Sequence, residues 1–117
     1  MTPEAIDAFC RSLPGATMEV LWQVDQVYKV GGKMFAATSP TGGLGFKAND
    51  VAFEMLIESG AARPAPYAAR AKWVMVDHPS TFPDEDLRRY LAEAHALISA
   101  KLSKKLQREL GLTVQQA

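Results

Sequence analysis

Gln26-Val27-Tyr28-Lys29-Val30-Gly31-Gly32-Lys33-Met34-Phe35-Ala36-Ala37-Thr38-Ser39-Pro40-Thr41-Gly42-Gly43-Leu44-Gly45-Phe46-Lys47-Ala48 is the stretch that decides the fold. Two β-rich runs, Gln26 to Val30 and Lys33 to Ser39, are separated only by Gly31-Gly32. That is the spacing of a two-residue hairpin whose primed turn favours glycine. Pro40-Thr41-Gly42-Gly43 makes a second turn, and Leu44 to Ala48 returns as a third strand. Strands joined by tight turns must run antiparallel, because a parallel pair needs a long crossover. Residues 27–48 are therefore predicted as a meander, with Phe35 or Met34 facing the core according to register. Leu44 and Phe46 face the core on the third strand, which turns Lys47 outward.

Upstream, Thr2-Pro3-Glu4 opens a helix, with Thr2 as N-cap and Pro3 at the first helical position. Ile6, Phe9, Cys10 and Leu13 give it one apolar face, and Pro14-Gly15 ends it. Val20 to Gln23 is a short strand-like piece. Downstream, Asn49 caps a second helix whose apolar surface comes from Val51, Phe53, Met55, Leu56 and Ile57, with Gly60 as its stop. Residues 61–71 read as a loop. Lys72 to His78 is a strand with Trp73 and Met75 on one side and Val74 and Val76 on the other, and Trp73 is expected in the core. Asp84-Glu85-Asp86 begins a last, long helix whose stripe Leu87, Leu91, Ala94, Ile98, Leu102 and Leu106 runs towards Gly111. Lys101, Lys104, Lys105 and Arg108 sit near its C-terminal end, where cations suit the helix dipole. The expected fold class is α+β: an antiparallel sheet of four strands with helices on one face and the other face open.

The chain has 117 residues, and residues 1–117 are expected to form a single domain. Thirteen basic residues balance thirteen acidic ones, so bulk charge does not announce a polyanion partner. Cys10 is the one cysteine, which excludes an internal disulfide, and it reads as a small buried hydrophobe. The sequence shows neither a signal-peptide pattern nor an apolar run of the ~20 residues that a membrane-spanning helix needs. A cytoplasmic location without membrane contact is the expectation.

Catalytic chemistry finds little support in the residues. His78 and His95 lack a Ser or Cys partner in any nucleophile motif. One Cys and two separated His offer no zinc spacing, and Asp84-Glu85-Asp86 is explained as a charged first turn. Gly31-Gly32 and Gly42-Gly43-Leu44-Gly45 fit neither the phosphate-loop nor the dinucleotide pattern. No catalytic residue, metal or cofactor is expected, and the chain does not read as an enzyme. The basic residues are more informative: Gly60 to Val76 holds Arg63, Arg70 and Lys72 without an acid. Lys47 and Lys72 are expected to share the open sheet face with Arg70 beside them, and Lys33 lies just past the hairpin turn. Such a group can hold phosphates or an acidic partner.

Several runs resemble the MmcQ/YjbR family: Phe9-Cys10-Arg11-Ser12-Leu13-Pro14-Gly15-Ala16-Thr17, Tyr28-Lys29-Val30-Gly31-Gly32-Lys33-Met34-Phe35-Ala36 and Phe46-Lys47-Ala48-Asn49-Asp50. Arg63-Pro64-Ala65-Pro66-Tyr67, Lys72-Trp73-Val74, Pro83-Asp84-Glu85-Asp86-Leu87 and Ala100-Lys101-Leu102 follow in the family's order. The resemblance spans roughly residues 3–105. It implies a fold similar to frataxin and CyaY and a DNA-binding role, with a proposed double-winged mode. One departure stands out: many members follow the Pro-Gly-Tyr with His-Met-Asn-Lys, whereas Tyr67 here is followed by Ala68-Ala69-Arg70-Ala71. Only Tyr67, Lys72 and Trp73 carry over from that motif. The function expected is thus a non-enzymatic DNA-binding module of the MmcQ/YjbR type, with double-stranded DNA as its partner. Lys33, Lys47, Arg63, Arg70 and Lys72 would meet phosphates, and Tyr67 would stack or hydrogen-bond at the rim. The alternative is a small-ligand or protein-binding module using the same groove, with a small acidic ligand or a protein as partner.

Overall fold

The computed structural model describes residues 1–21, 25–66 and 69–112. Helix α1 (Pro3–Ser12) starts as its sequence dictates: the Thr2 hydroxyl accepts a hydrogen bond from the Ala5 amide at 3.1 Å. It buries Ile6 and Cys10. Four strands follow as the meander β1 (Ala16–Leu21), β2 (Asp25–Val30), β3 (Lys33–Thr38) and β4 (Leu44–Lys47). Helix α2 (Asp50–Ser59) is capped by Asn49 and stopped by Gly60 at φ 78°. Strands β5 (Arg63–Pro64) and β6 (Trp73–Val76) complete the sheet before α3 (Asp84–Ser99) and α4 (Lys104–Glu109). Among the described residues, six strands form one antiparallel sheet in the order β1-β2-β3-β4-β6-β5.

The helices cover one face, and the fold class is α+β as expected. The sheet is larger than the expected four strands. The first strand runs from Ala16 to Leu21 rather than from Val20 to Gln23, whose residues 22 and 23 lie outside the described residues. Within the expected loop 61–71, Arg63 and Pro64 pair with β6. Pro64 has no amide to donate, which suits a two-residue strand at the sheet edge. Strand β1 pairs with β2 over all six of its residues, so the edges differ in length.

The Gly31-Gly32 turn has φ of 58° and 81°, as a primed hairpin requires. Gly31 has a second duty. A Cβ there would fall 2.6 and 2.8 Å from the two δ-methyls of Leu102 and 3.2 Å from Leu106. The turn is thus pressed beneath the corner between α3 and α4. That corner replaces the single long helix expected from the leucine stripe. Helix α3 ends at Ser99, Ser103 caps α4 by accepting from the Leu106 amide, and the Gln107 side-chain amide donates to the Ser99 and Leu102 carbonyls at 3.1 and 2.9 Å. These bonds satisfy groups that a helix end otherwise leaves open. The stripe still buries Leu102, now against the hairpin.

A bulge in β3 resolves the register left open by the sequence. Tyr28 pairs with Ala36 and Lys29 with Met34, so Phe35 is an additional residue on β3. Phe35 and Ala36 are both fully buried on the helix side, while Met34 is partly buried on the opposite face. Phe35 meets the ring of His95 edge-on at 5.3 Å between centroids. His95 Nε2 lies 2.7 Å from the Pro14 carbonyl, and burial pushes the imidazole below its ordinary pKa against that hydrogen bond's opposing pull. Tyr28, 0% exposed, donates to Asp7 at 2.8 Å. Burial and, secondarily, Asp7 push the Cys10 thiol up to about 12, so it stays protonated as a core hydrophobe. On α2 only Ala52 and Leu56 are buried; Val51 and Met55 stand exposed, because the helix turns that side of its apolar surface to solvent.

Gly31→Ala should destabilise more than Gly32→Ala. Both incur the left-handed penalty of roughly 1–2 kcal/mol. Gly31→Ala adds overpacking of about 1–3 kcal/mol against Leu102, whereas nothing lies within 4 Å of a Cβ at Gly32. Urea titrations of the two variants would give equal losses if the turn were not seated.

A second expectation concerns pH. Because folding lowers the His95 pKa, the unfolded chain binds its proton first. This contribution is complete above the unfolded value of roughly 6.5 and is lost as pH falls through the folded one. His95→Gln should lack that component when denaturation midpoints at pH 7 and pH 5 are compared with the parent's. Identical pH dependence in the two proteins would contradict it.

Candidate nucleic-acid interface

Residues directly opposite one another in a sheet share a face, so the register defines the open surface. Its middle row runs Glu19, Val27, Ala37, Gly45, Met75, Arg63 across all six strands. The neighbouring row, nearer the Gly31-Gly32 turn, runs Thr17, Lys29, Met34 and then Lys47 with Trp73. On the other side Leu21 pairs with Asp25, and Asp77 lies two residues beyond Met75. Acidic groups therefore occur on this face in the middle row and at the far end, while the row beside the turn carries lysines without an acid.

The floor of the face is low and apolar. A Cβ at Gly43 would lie 3.4 Å from the Met75 sulfur, and one at Gly45 3.5 Å from the Met75 methyl and 3.9 Å from Trp73 Cε3. The missing side chains of Gly45 on β4 and of Gly43 just before it thus let Met75 and Trp73 lean over the neighbouring strand. Val27 is fully buried here, outside the cluster beneath the helices. Trp73, expected in the core, lies partly buried on the open face, and Val74 and Val76 take the core positions. The expected alternation holds, but the wider side chain takes the open face. The helix side is already filled by Phe46, Val74 and Tyr90, with the Phe46 and Tyr90 rings stacked at 5.8 Å.

The structure redistributes the expected basic residues. Lys47 is partly buried at the end of β4, where its ammonium donates to the Ala71 carbonyl. Burial lowers its pKa, and the positive charges of Lys101 and Lys72 push the same way against Asp50. Lys72 does not share the open face with Lys47. Its backbone is left-handed, at φ 62°, and its ammonium lies 5.0 Å from the centre of the Phe53 ring on α2. The two lysines sit at the same end of the sheet but face different sides. Arg70 is exposed in the short helical turn 69–71, and Lys33 is exposed beside the hairpin. Tyr67 lies outside the described residues.

Arg63 leaves the group altogether. Its guanidinium bonds both carboxylate oxygens of Asp77 at 3.0 and 3.1 Å, and those bonds hold the Asp77 carboxyl below the usual carboxylate range. Asp77 directly follows the acid-free stretch that contains Arg63, and only the β5–β6 pairing brings the two together.

Lys101, Lys104, Lys105 and Arg108 were assigned to a helix dipole, yet the α3–α4 corner sets their segment against the hairpin turn. All four are exposed. Their spacing was visible in the sequence; the corner that brings them to the sheet's basic end was not. The opposite end holds Asp77, Asp84, Glu85 and Asp86, but there Arg63 pairs with Asp77, Arg89 with Asp86, and the Met1 ammonium, at 3.2 Å, with Asp84. A cavity of about 740 Å³ opens there, lined by Arg63, Asp77, His78, Asp86, Phe82 and Tyr90 among others. Among the described residues, no group of three or more His, Cys, Asp or Glu side chains could hold a metal ion, and no helix is long and apolar enough to cross a membrane.

The crystal structure of Deinococcus radiodurans protein DR2400, with the DUF419 family domain, matches this chain with a TM-score of 0.84 at 26% identity, covering 95% of this chain and 88% of that one. No curated protein matches the chain. The model of the YjbR family matches residues 11–97, well over half of the length, and the chain therefore belongs to the YjbR family.

Proposed function

We propose that this protein is a non-enzymatic DNA-binding module that meets phosphates at the end of the sheet bearing the Gly31-Gly32 turn. The observation that carries this reading is charge polarity in a chain whose formal net charge is zero. Lys33, Lys47, Arg70, Lys72, Lys101, Lys104, Lys105 and Arg108 gather around one end, with Asp50 and Glu109 as their acidic neighbours in sequence. A local positive field attracts a polyanion even when the whole molecule is neutral, because the field falls off within about 8 Å at physiological salt. Phosphate contacts release counterions, and that release supplies sequence-independent affinity. An anion beside Lys47 offsets the repulsion that its ammonium meets from Lys101 and Lys72.

A second reading, a small-ligand module, draws on the cavity between Arg63 and Tyr90. It would act at the opposite end, where Arg63 pairs with Asp77, and not in the groove beside Lys47.

Fluorescence anisotropy with labelled DNA at several salt concentrations tests the first reading. With three or four phosphates engaged, log affinity should fall against log salt with a slope of about −3 to −4. Lys104→Ala with Lys105→Ala should reduce the slope by roughly two, while Arg63→Ala, paired at the far end, should leave it unchanged. Absence of binding at ~50 mM salt and tens of micromolar protein is weaker than ordinary non-specific association and would overturn the reading.

A further inference from the structure

Resting on that reading, we infer that the interface takes single-stranded rather than duplex nucleic acid, with Trp73 as a platform on which a base stacks. The row beside the hairpin turn places Met34 and Trp73 among Lys29 and Lys47. Lys29 is paired with Glu19, whereas Lys47, opposite Trp73 in the register, donates to the uncharged Ala71 carbonyl and keeps its charge. A duplex keeps its base faces stacked inside and offers this surface only phosphates and groove edges. Thioether and indole surface would then be desolvated against charge with nothing apolar in return. A single strand offers base faces to the ring and phosphates to the lysines, the pairing on which sequence-tolerant single-strand binding rests.

The geometry also disfavours insertion into a groove. A major groove admits a helix or a two-stranded ribbon. The helices lie on the other face of the sheet, and the β2–β3 turn does not project freely, because Gly31 is seated against Leu102 and Leu106. The open face is shallow where Ala37, Gly43 and Gly45 carry little or no side chain. The left-handed backbone of Lys72 sits immediately before Trp73, and a non-glycine residue held there is a cost that the surrounding structure must sustain. It sends Lys72 to the helix side while Trp73 lies on the open side.

The test uses the full chain carrying Trp22→Phe, so that Trp73 is its one tryptophan. Oligo-dT, oligo-U and a DNA duplex, each of about a dozen nucleotides or pairs, are titrated at one low salt concentration. Trp73 emission should be quenched by the single strands, which should bind at least about tenfold more tightly than the duplex. The dT and U arms show whether the sugar matters. Trp73→Leu should reduce the single-strand preference about 5- to 150-fold, the equivalent of ~1–3 kcal/mol of stacking, and Trp73→Phe should restore much of it. Circular dichroism checks that both variants fold. If the leucine variant unfolds, the quenching and the phenylalanine variant still decide. Equal or tighter duplex binding, or saturation by single strands without a change in Trp73 emission, overturns this inference and leaves the charge-based reading standing. Failure of all three probes to bind overturns both.

Discussion

The close seating of the Gly31-Gly32 turn beneath Leu102 and Leu106 is the constraint on which the rest depends. A turn of two glycines fixes the β2–β3 pairing, and the absent Cβ at Gly31 admits the leucine side chains to a space that any other residue would occupy. The last helical segment must bend to reach it, so α3 stops at Ser99 and α4 begins after Ser103. Gln107 makes the bend tolerable by donating to two carbonyls left open at the corner. This contact, together with the close approach of Leu110 to Gly15, joins the C-terminal segment to the rest of the fold and sets where four cationic side chains stand.

The same end of the sheet shows how a neutral chain acquires a charged surface. Antiparallel connections return the strands so that the end of β2, the start of β3, the end of β4 and the start of β6 lie together. Basic residues distant in sequence converge there, while at Asp77 and the start of α3 the carboxylates are paired with Arg63, Arg89 and the Met1 ammonium. Composition sums over both ends and reports zero. Polarity is a property of placement, and the Lys101 and Lys72 charges that add to burial in lowering the Lys47 pKa are its local consequence.

The open face illustrates the limit of patterning. Alternation assigns Trp73 and Met75 to one side of β6 and Val74 and Val76 to the other, but it does not say which side is the core. Size suggests the tryptophan. Two glycines reverse the answer, since Gly45 on the adjacent strand and Gly43 just before it leave room for Met75 and Trp73 on the open side and the helix side is filled by other rings. The bulge at Phe35 acts similarly, placing two successive residues in the core where strict alternation allows one.

What the sequence by itself determined was local: the Thr2 and Asn49 caps, the Gly60 stop, the glycine turn, and the inward aim of Leu44 and Phe46. Each rests on backbone geometry or periodicity within a few residues, so neighbours in the chain carry the information. The family resemblance was equally legible, because ordered short runs survive without knowledge of their contacts. Tertiary structure alone decided the α3–α4 corner, the two-residue strand at Arg63, the pairing of Arg63 with Asp77, and the opposite faces taken by Lys47 and Lys72. These outcomes depend on which groups meet across the sheet and on how much room each leaves for the other. Such terms involve partners far apart in the chain, and no window of sequence contains both.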